Sequence, residues 1–178
     1  MMKNLKSYLQ SVKDRDPSTN NSLEIALCFN GVHAVFFHKI CHFLDSTGIP
    51  ILPRFLANIS RIITGIEIHP KVKIGKNLFI DHGFGVVIGE TAIIGDDVTI
   101  YQGVTLGGKT YDPVKRHPTI GNRVVIGAGA KILGNITIGN GAKIGAGAIV
   151  VKDVAAGTVA VGATAKEIRE SFEIDYQI

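Results

Sequence analysis

By residue type, His82 and the pair Arg116-His117 are the groups of this 178-residue chain best suited to do chemistry. His82 follows Asp81 in the run Ile80-Asp81-His82-Gly83-Phe84-Gly85, fifteen positions after Glu67. A carboxylate on one imidazole nitrogen fixes the tautomer and leaves the other nitrogen to take a proton. His82, with Glu67 as its orienter, therefore reads as a general base for a hydroxyl nucleophile. The plainer alternative is a histidine hydrogen-bonded for structure at a chain corner. Arg116 offers a planar fork of donors that fits a carboxylate, against the alternative of a solvated loop arginine. His69, before Pro70, reads as surface structure. His33, His38 and His42 fall in one helical segment, with His38 and His42 on one face. A helical histidine pair without a third ligand does not make a metal site, and no metal is expected.

A repeat must position these residues. Aliphatic side chains return every six positions through Ile68, Ile74 and Ile80, then Ile88, Ile94, Ile100 and Leu106, then Ile120, Ile126, Ile132, Ile138, Ile144 and Val150. Glycine follows many of them, and small residues lie between, as in Gly127-Ala128-Gly129-Ala130. A period of six is neither helical nor that of a hairpin ladder. It fits a hexapeptide parallel β-helix, whose short strands form the faces of a prism and stack coil on coil. The period itself does not give the hand of the coil. The rhythm breaks twice: Ile80 to Ile88 is eight steps, across residues 81–85, and Leu106 to Ile120 is fourteen, across 108–118. Departures from local regularity tend to mark functional sites, and long loops on rigid scaffolds tend to carry function. Both breaks hold a histidine beside a charged residue.

Ahead of the repeat the pattern is helical. Residues 2–13 read as a short polar helix stopped at Asp16-Pro17. Ser22 is placed to cap a second helix running from Leu23 to Leu44, and a third covers about Leu52 to Thr64 with Leu52, Phe55, Leu56, Ile59 and Ile62 on one stripe. These helices cover the open end of the solenoid. The fold class is thus α+β. An α-helical domain spans 1–65, a β-helix with its inserted loop 108–118 spans 66–165, and a tail spans 166–178, with one helical turn at Ile168 to Phe172. Hydrophobic residues make up 46% of the chain, with 21 glycines and no tryptophan, which excludes a disordered chain. A net charge of +4, spread out and without aromatic interleaving, argues against nucleic acid and suits an anionic small ligand. Cys28 and Cys41 lack metal-type spacing and read as buried free thiols of a reducing compartment. With no signal peptide and no membrane-length apolar run, the expected location is the cytoplasm, with no membrane association.

The ordered set Glu67-Ile68-His69-Pro70, Ile80-Asp81-His82-Gly83, Val87-Ile88-Gly89-Glu90-Thr91-Ala92, Gln102-Gly103-Val104-Thr105-Leu106-Gly107-Gly108, Arg116-His117-Pro118 and Ile126-Gly127-Ala128-Gly129-Ala130-Lys131-Ile132-Leu133-Gly134-Asn135-Ile136 resembles serine O-acetyltransferase. The resemblance reaches back through Asp16-Pro17 and the helices. It implies a left-handed β-helix and acetyl transfer from acetyl-CoA to the hydroxyl of L-serine, the activating step of cysteine synthesis. It implies His82 as general base, with Glu67 standing where the family normally has aspartate, one methylene shorter. By the same matching Arg116 binds the substrate carboxylate, Asp16 and Asp81 its amino group, and His117 helps position it, while Gly108 and Ala128 line the CoA channel. L-cysteine as feedback inhibitor, a homotrimer or dimer of trimers, and an O-acetylserine sulfhydrylase bound through the terminal Ile178 are further family expectations.

Three other readings compete. A transferase acting on a sugar hydroxyl would have no use for Arg116 and Asp16. A metal hydratase on the same prism would need His69, His82 and His117 to converge on one ion. A non-catalytic scaffold docking through Ile178 would need neither His82 nor Arg116.

Overall fold

The computed structural model describes residues 2–162 and 164. The repeat folds as three parallel sheets wound from short strands. The first face stacks β1 (Glu67–Ile68), β4 (Val87–Ile88), β7 (Thr105–Gly107), β10 (Lys131–Leu133) and β13 (Ile149–Val150). The second stacks β2 (Lys73–Ile74), β5 (Ile93–Ile94), β8 (Thr119–Ile120) and β11 (Thr137–Ile138). The third stacks β3 (Phe79–Ile80), β6 (Thr99–Ile100), β9 (Val125–Ile126), β12 (Lys143–Ile144) and β14 (Val159–Ala160).

The register explains the six-residue rhythm. Ile68 pairs with Ile88, Ile88 with Leu106, Leu106 with Ile132, and Ile132 with Val150, so one aliphatic residue per strand lies above its counterpart inside the prism. Of the periodic positions only Ile74 is less than buried. A second interior row at the corners, including Val72, Leu78, Val86, Val98, Val104 and Val124, is equally buried and closes the core between the faces. Both breaks in the rhythm fall at corners. Residues 81–85 swell the corner between the third face and the first; the loop 108–118 leaves the first face after β7 and returns on the second at β8.

The helices are α1 (Met2–Lys13), α2 (Ser22–Cys28), α3 (Asn30–Ser46) and α4 (Leu52–Thr64). The single helix expected from Leu23 to Leu44 is two helices, because Phe29 adopts an extended backbone (φ −91°, ψ 107°) and turns the chain by 69°. The cap of α2 is Asn21, not Ser22: its side-chain oxygen accepts from the Leu23 amide at 2.9 Å. No single helix among the described residues is long and apolar enough to cross a membrane. The apolar stripe of α4 faces outward, with Phe55 58% and Ile62 74% exposed, while Pro53, Ser60 and Thr64 make its buried side. Cys41 is buried as expected, but Cys28, at the end of α2, is exposed; both thiols are unpaired.

Arg15 ties α1 to the prism. Its guanidinium donates to the carbonyls of Asn77 (2.7 Å) and Val98 (3.1 Å) and to the Thr99 hydroxyl (3.2 Å), and lies 5.3 Å from the centre of the Phe79 ring. The turn expected at Ile168 to Phe172 and the terminal Ile178 lie outside the described residues.

Candidate active site

Asp16, Asp81 and His82 line one cavity of about 310 Å³, between the break that separates α2 from α3 and the corner after β3. The chain brings these elements together by leaving out a side chain. A Cβ on Gly31 would lie 2.0 Å from the Ile80 carbonyl oxygen, so only glycine lets the start of α3 touch the end of β3. Asp16 follows directly on Arg15, and its carboxylate accepts from the Ser18 amide at 2.8 Å. His82 is exposed at φ 55°, in the left-handed region, and the backbone there turns over the coil below. Gly83 lies over Ile66, Phe84 over Gly65, and the Gly85 amide donates to the Gly65 carbonyl at 2.9 Å.

Glu67 begins one residue beyond that stack, on β1. Its carboxylate pairs with Arg61 at 3.3 Å and lines a neighbouring cavity of about 330 Å³ with Arg54 and His69. Arg61 also donates to the Asn58 side chain at 2.8 Å. Both members of the Arg61–Glu67 pair are half exposed, so the contact is weak.

Arg116 and His117 stand at a different corner, between the first and second faces. His117 is buried, with Nδ1 3.1 Å from the Thr91 amide and 2.9 Å from the Thr91 hydroxyl. Arg116 reaches Glu90 at 3.4 Å, and Glu90 accepts from Lys71 at 3.0 Å. The Lys71 hydrogen bond, helped by the charges of Lys71, His69 and Arg116 and opposed by burial, holds the Glu90 carboxyl below its ordinary range. Arg116, Glu90, Lys71, Lys73 and Lys115 line a cavity of about 530 Å³ rich in positive charge. Burial, and then the charges of Arg116 and Lys115, push the His117 imidazole below its usual value.

Gly108 and Ala128 divide between the same two corners. Gly108 lies against the Arg116 stem, where a Cβ would sit 3.3 Å from Cγ. Ala128 follows β9 at the corner between the third and first faces, and its carbonyl accepts from the Gly147 amide at 2.8 Å. One chain thus carries the residues singled out in the sequence in two groups, on opposite edges of its first face. One edge holds Asp16, Asp81, His82 and Ala128; the other holds Arg116, His117 and Gly108. Sequence reasoning gave no role to Arg15, Gly31, Glu90 or Thr91, although the last two lie in one of the motifs of the resemblance. Glu90 and Thr91 stand one coil and one long loop away from Arg116, a separation that carries no periodic signal. Among the described residues no three histidine, cysteine or acidic side chains are grouped to hold a metal ion.

Residues 117–152 match the family model described as bacterial transferase hexapeptide (six repeats). The serine acetyltransferase of Helicobacter pylori strain J99 is 53% identical over 167 residues, covering 94% of this chain and 98% of that protein. The crystal structure of Neisseria gonorrhoeae serine acetyltransferase in complex with serine superposes with a TM-score of 0.87 at 43% identity, covering 93% of this chain and 68% of that one. Serine acetyltransferase from Brucella abortus strain S19, in complex with coenzyme A, gives a TM-score of 0.88 at 41% identity, covering 93% and 66%. These matches bear out the expected left-handed β-helix behind a helical cap. With half its residues identical over nearly its whole length, the chain belongs to the serine acetyltransferase family.

Proposed function

We propose that this chain transfers the acetyl group of acetyl-CoA to the hydroxyl of L-serine, giving O-acetyl-L-serine and CoA, the first step of cysteine synthesis from serine. The observation that carries the reading is an exposed histidine in one cavity with two carboxylates, Asp16 and Asp81. The carboxylates hold the substrate ammonium. His82 takes the hydroxyl proton as the serine oxygen bonds to the acetyl carbon, and returns it to the CoA sulfur as the carbon–sulfur bond breaks. Glu67 orients the imidazole once it leaves Arg61, a step that costs little because that pair is half exposed. Arg116 takes the substrate carboxylate, His117 helps position it, and Gly108 and Ala128 line the path of the pantetheine arm.

The division of these residues between two edges of the first face supports a homotrimer. Three prisms with their first faces turned to a common axis set one edge of each against the opposite edge of the next, a head-to-tail contact that closes. The outward apolar stripe of α4, and Val87 and Ile149 on the first face, offer surface for that contact. A dimer of such trimers through the helical cap is the larger alternative. L-cysteine carries the same ammonium and carboxylate as L-serine and would occupy the same groups as a feedback inhibitor. Docking of O-acetylserine sulfhydrylase on Ile178 rests on the family resemblance, and deletion of that residue tests it. The unpaired Cys28 on the surface suits a reducing cytoplasm.

A sugar acceptor would leave Asp16 and Arg116 unused. A hydratase would need His69, His82 and His117 together, whereas His69 Nδ1 accepts from Lys71, His117 Nδ1 faces Thr91, and His82 lies in a separate cavity. Thiol release from acetyl-CoA with L-serine, homoserine and sugars tests the reading. Release with serine, falling by about two to four orders of magnitude in His82→Ala, agrees with it. Release only with another acceptor contradicts it.

A further inference from the structure

The turn Gly89-Glu90-Thr91 meets Arg116-His117 through the Thr91 amide, the Thr91 hydroxyl and the Glu90 carboxylate, and the Thr91 hydrogen bonds leave His117 one allowed state. The Thr91 amide points at His117 Nδ1 from 3.1 Å. A backbone N–H can only donate, so Nδ1 must be the unprotonated, accepting nitrogen. The Thr91 hydroxyl oxygen accepts from the amides of Arg116 (3.0 Å) and His117 (3.1 Å), which occupies both its lone pairs. Its own proton is then free for Nδ1, 2.9 Å away. The proton of the neutral ring therefore sits on Nε2, and among the described residues nothing accepts a hydrogen bond from it. The ring lies over Gly89, where a Cβ would stand 2.1 Å from Cδ2 and Nε2, so this turn fixes the plane of the imidazole as well as its tautomer.

We infer that Thr91 is a positioning residue that sets His117 as a neutral Nε2–H donor beside Arg116, with Glu90 aiming the guanidinium. The inference rests on the proposed serine reading for what the donor meets, a substrate oxygen next to the arginine. Its chemical content is a division of labour. His82 is free to move protons, whereas His117 is locked as a donor and cannot serve as a base. A cationic His117 would need a proton on Nδ1, facing the Thr91 amide and hydroxyl that now donate there. The depressed basicity of the ring agrees with that geometry. Glu90 divides its carboxylate between Lys71 and Arg116, which anchors one arm of the guanidinium and leaves its other donors for a ligand.

The test has one arm that does not depend on activity. In protein labelled with ¹⁵N-histidine, with the His117 signals assigned by their loss in His117→Gln, the ring should show Nε2 protonated and Nδ1 bare across neutral pH. A ring protonated on Nδ1 overturns the inference. In the kinetic arm, Thr91→Val should raise the serine KM about tenfold or more and leave the acetyl-CoA KM within about threefold, because it orphans two partly buried amides under the substrate side of the site. Thr91→Ser, which keeps the hydroxyl, should stay within about threefold of wild type for both substrates. A folded Thr91→Val with unchanged serine KM, or a Thr91→Ser as impaired as the valine variant, also overturns it. Should wild-type protein release no thiol with serine, the reaction assignment falls while the tautomer measurement still decides what Thr91 does.

Discussion

His82 holds a strained backbone, as Asn77, Asp97 and Arg123 do elsewhere in the prism. At φ 55° a residue with a Cβ loses about 1–2 kcal/mol relative to the right-handed region, and glycine loses little. His82→Gly should therefore leave thermal stability unchanged or raise it by about 1 kcal/mol while serine acetylation falls by two orders of magnitude or more. A variant that unfolds more easily would mark the histidine as a corner residue. Gly31 makes the opposite case. The Ile80 carbonyl leaves no room for a Cβ there, so Gly31→Ala should cost about 1–3 kcal/mol in chemical denaturation and weaken serine binding, by prising α3 from the cavity that holds Asp16 and Asp81. His82, Asp81 and Arg116 were legible in the sequence because they interrupt a regular rhythm. Thr91 was not, since its partners are the main-chain amides of residues 116 and 117, brought near only by the stacking of coils.

The helices place the first of the two groups. Arg15 hangs α1 and the following Asp16 on the carbonyls of Asn77 and Val98, through hydrogen bonds from a charged donor. Arg15→Met should lower stability by about 2–3 kcal/mol and raise the serine KM with little change in the acetyl-CoA KM, as steady-state kinetics would report. In α3, burial and then the positive neighbours His42, Lys39 and His69 lower His38 to about 4. The unfolded chain would take up that proton near the ordinary value of about 6.5, so it binds more protons than the folded chain between the two. The contribution to stability is thus full above about 6.5 and is lost as pH falls toward 4, by about 3 kcal/mol at most. His38→Leu should flatten that part of a denaturation-against-pH curve, and an unchanged slope would contradict the assignment. The polar run ending at Asp16-Pro17 located α1 and the apolar stripe located α4, but helical spacing ran α2 and α3 together. The apolar spacing continues through Phe29 and hides the breaker that follows it, Asn30-Gly31; Phe29 is extended just before the point where Gly31 packs on Ile80.

As a whole molecule the prism was readable from its period, because a register that puts Ile88 on Ile68 and Leu106 on Ile88 must repeat the same residue type. What the period does not carry is which edge of a face each break adorns. Residues 81–85 and 108–118 fall on opposite edges of the first face, and that separation is what the proposal of a site completed by a second chain rests on. The outward stripe of α4 has the same origin: helical spacing finds an apolar face but not the direction in which it looks. Ile62→Glu, on that stripe, should lower the assembled mass measured by light scattering while a single chain stays folded. The most direct measurement mixes two inactive variants, His82→Ala and Arg116→Ala, unfolded and refolded together. A site built from the edges of neighbouring chains regains serine acetylation, up to about one quarter of the wild-type level in an equal mixture, because some interfaces pair an intact His82 with an intact Arg116. No regained activity, from mixed assemblies of the same mass as wild type, would contradict the shared site.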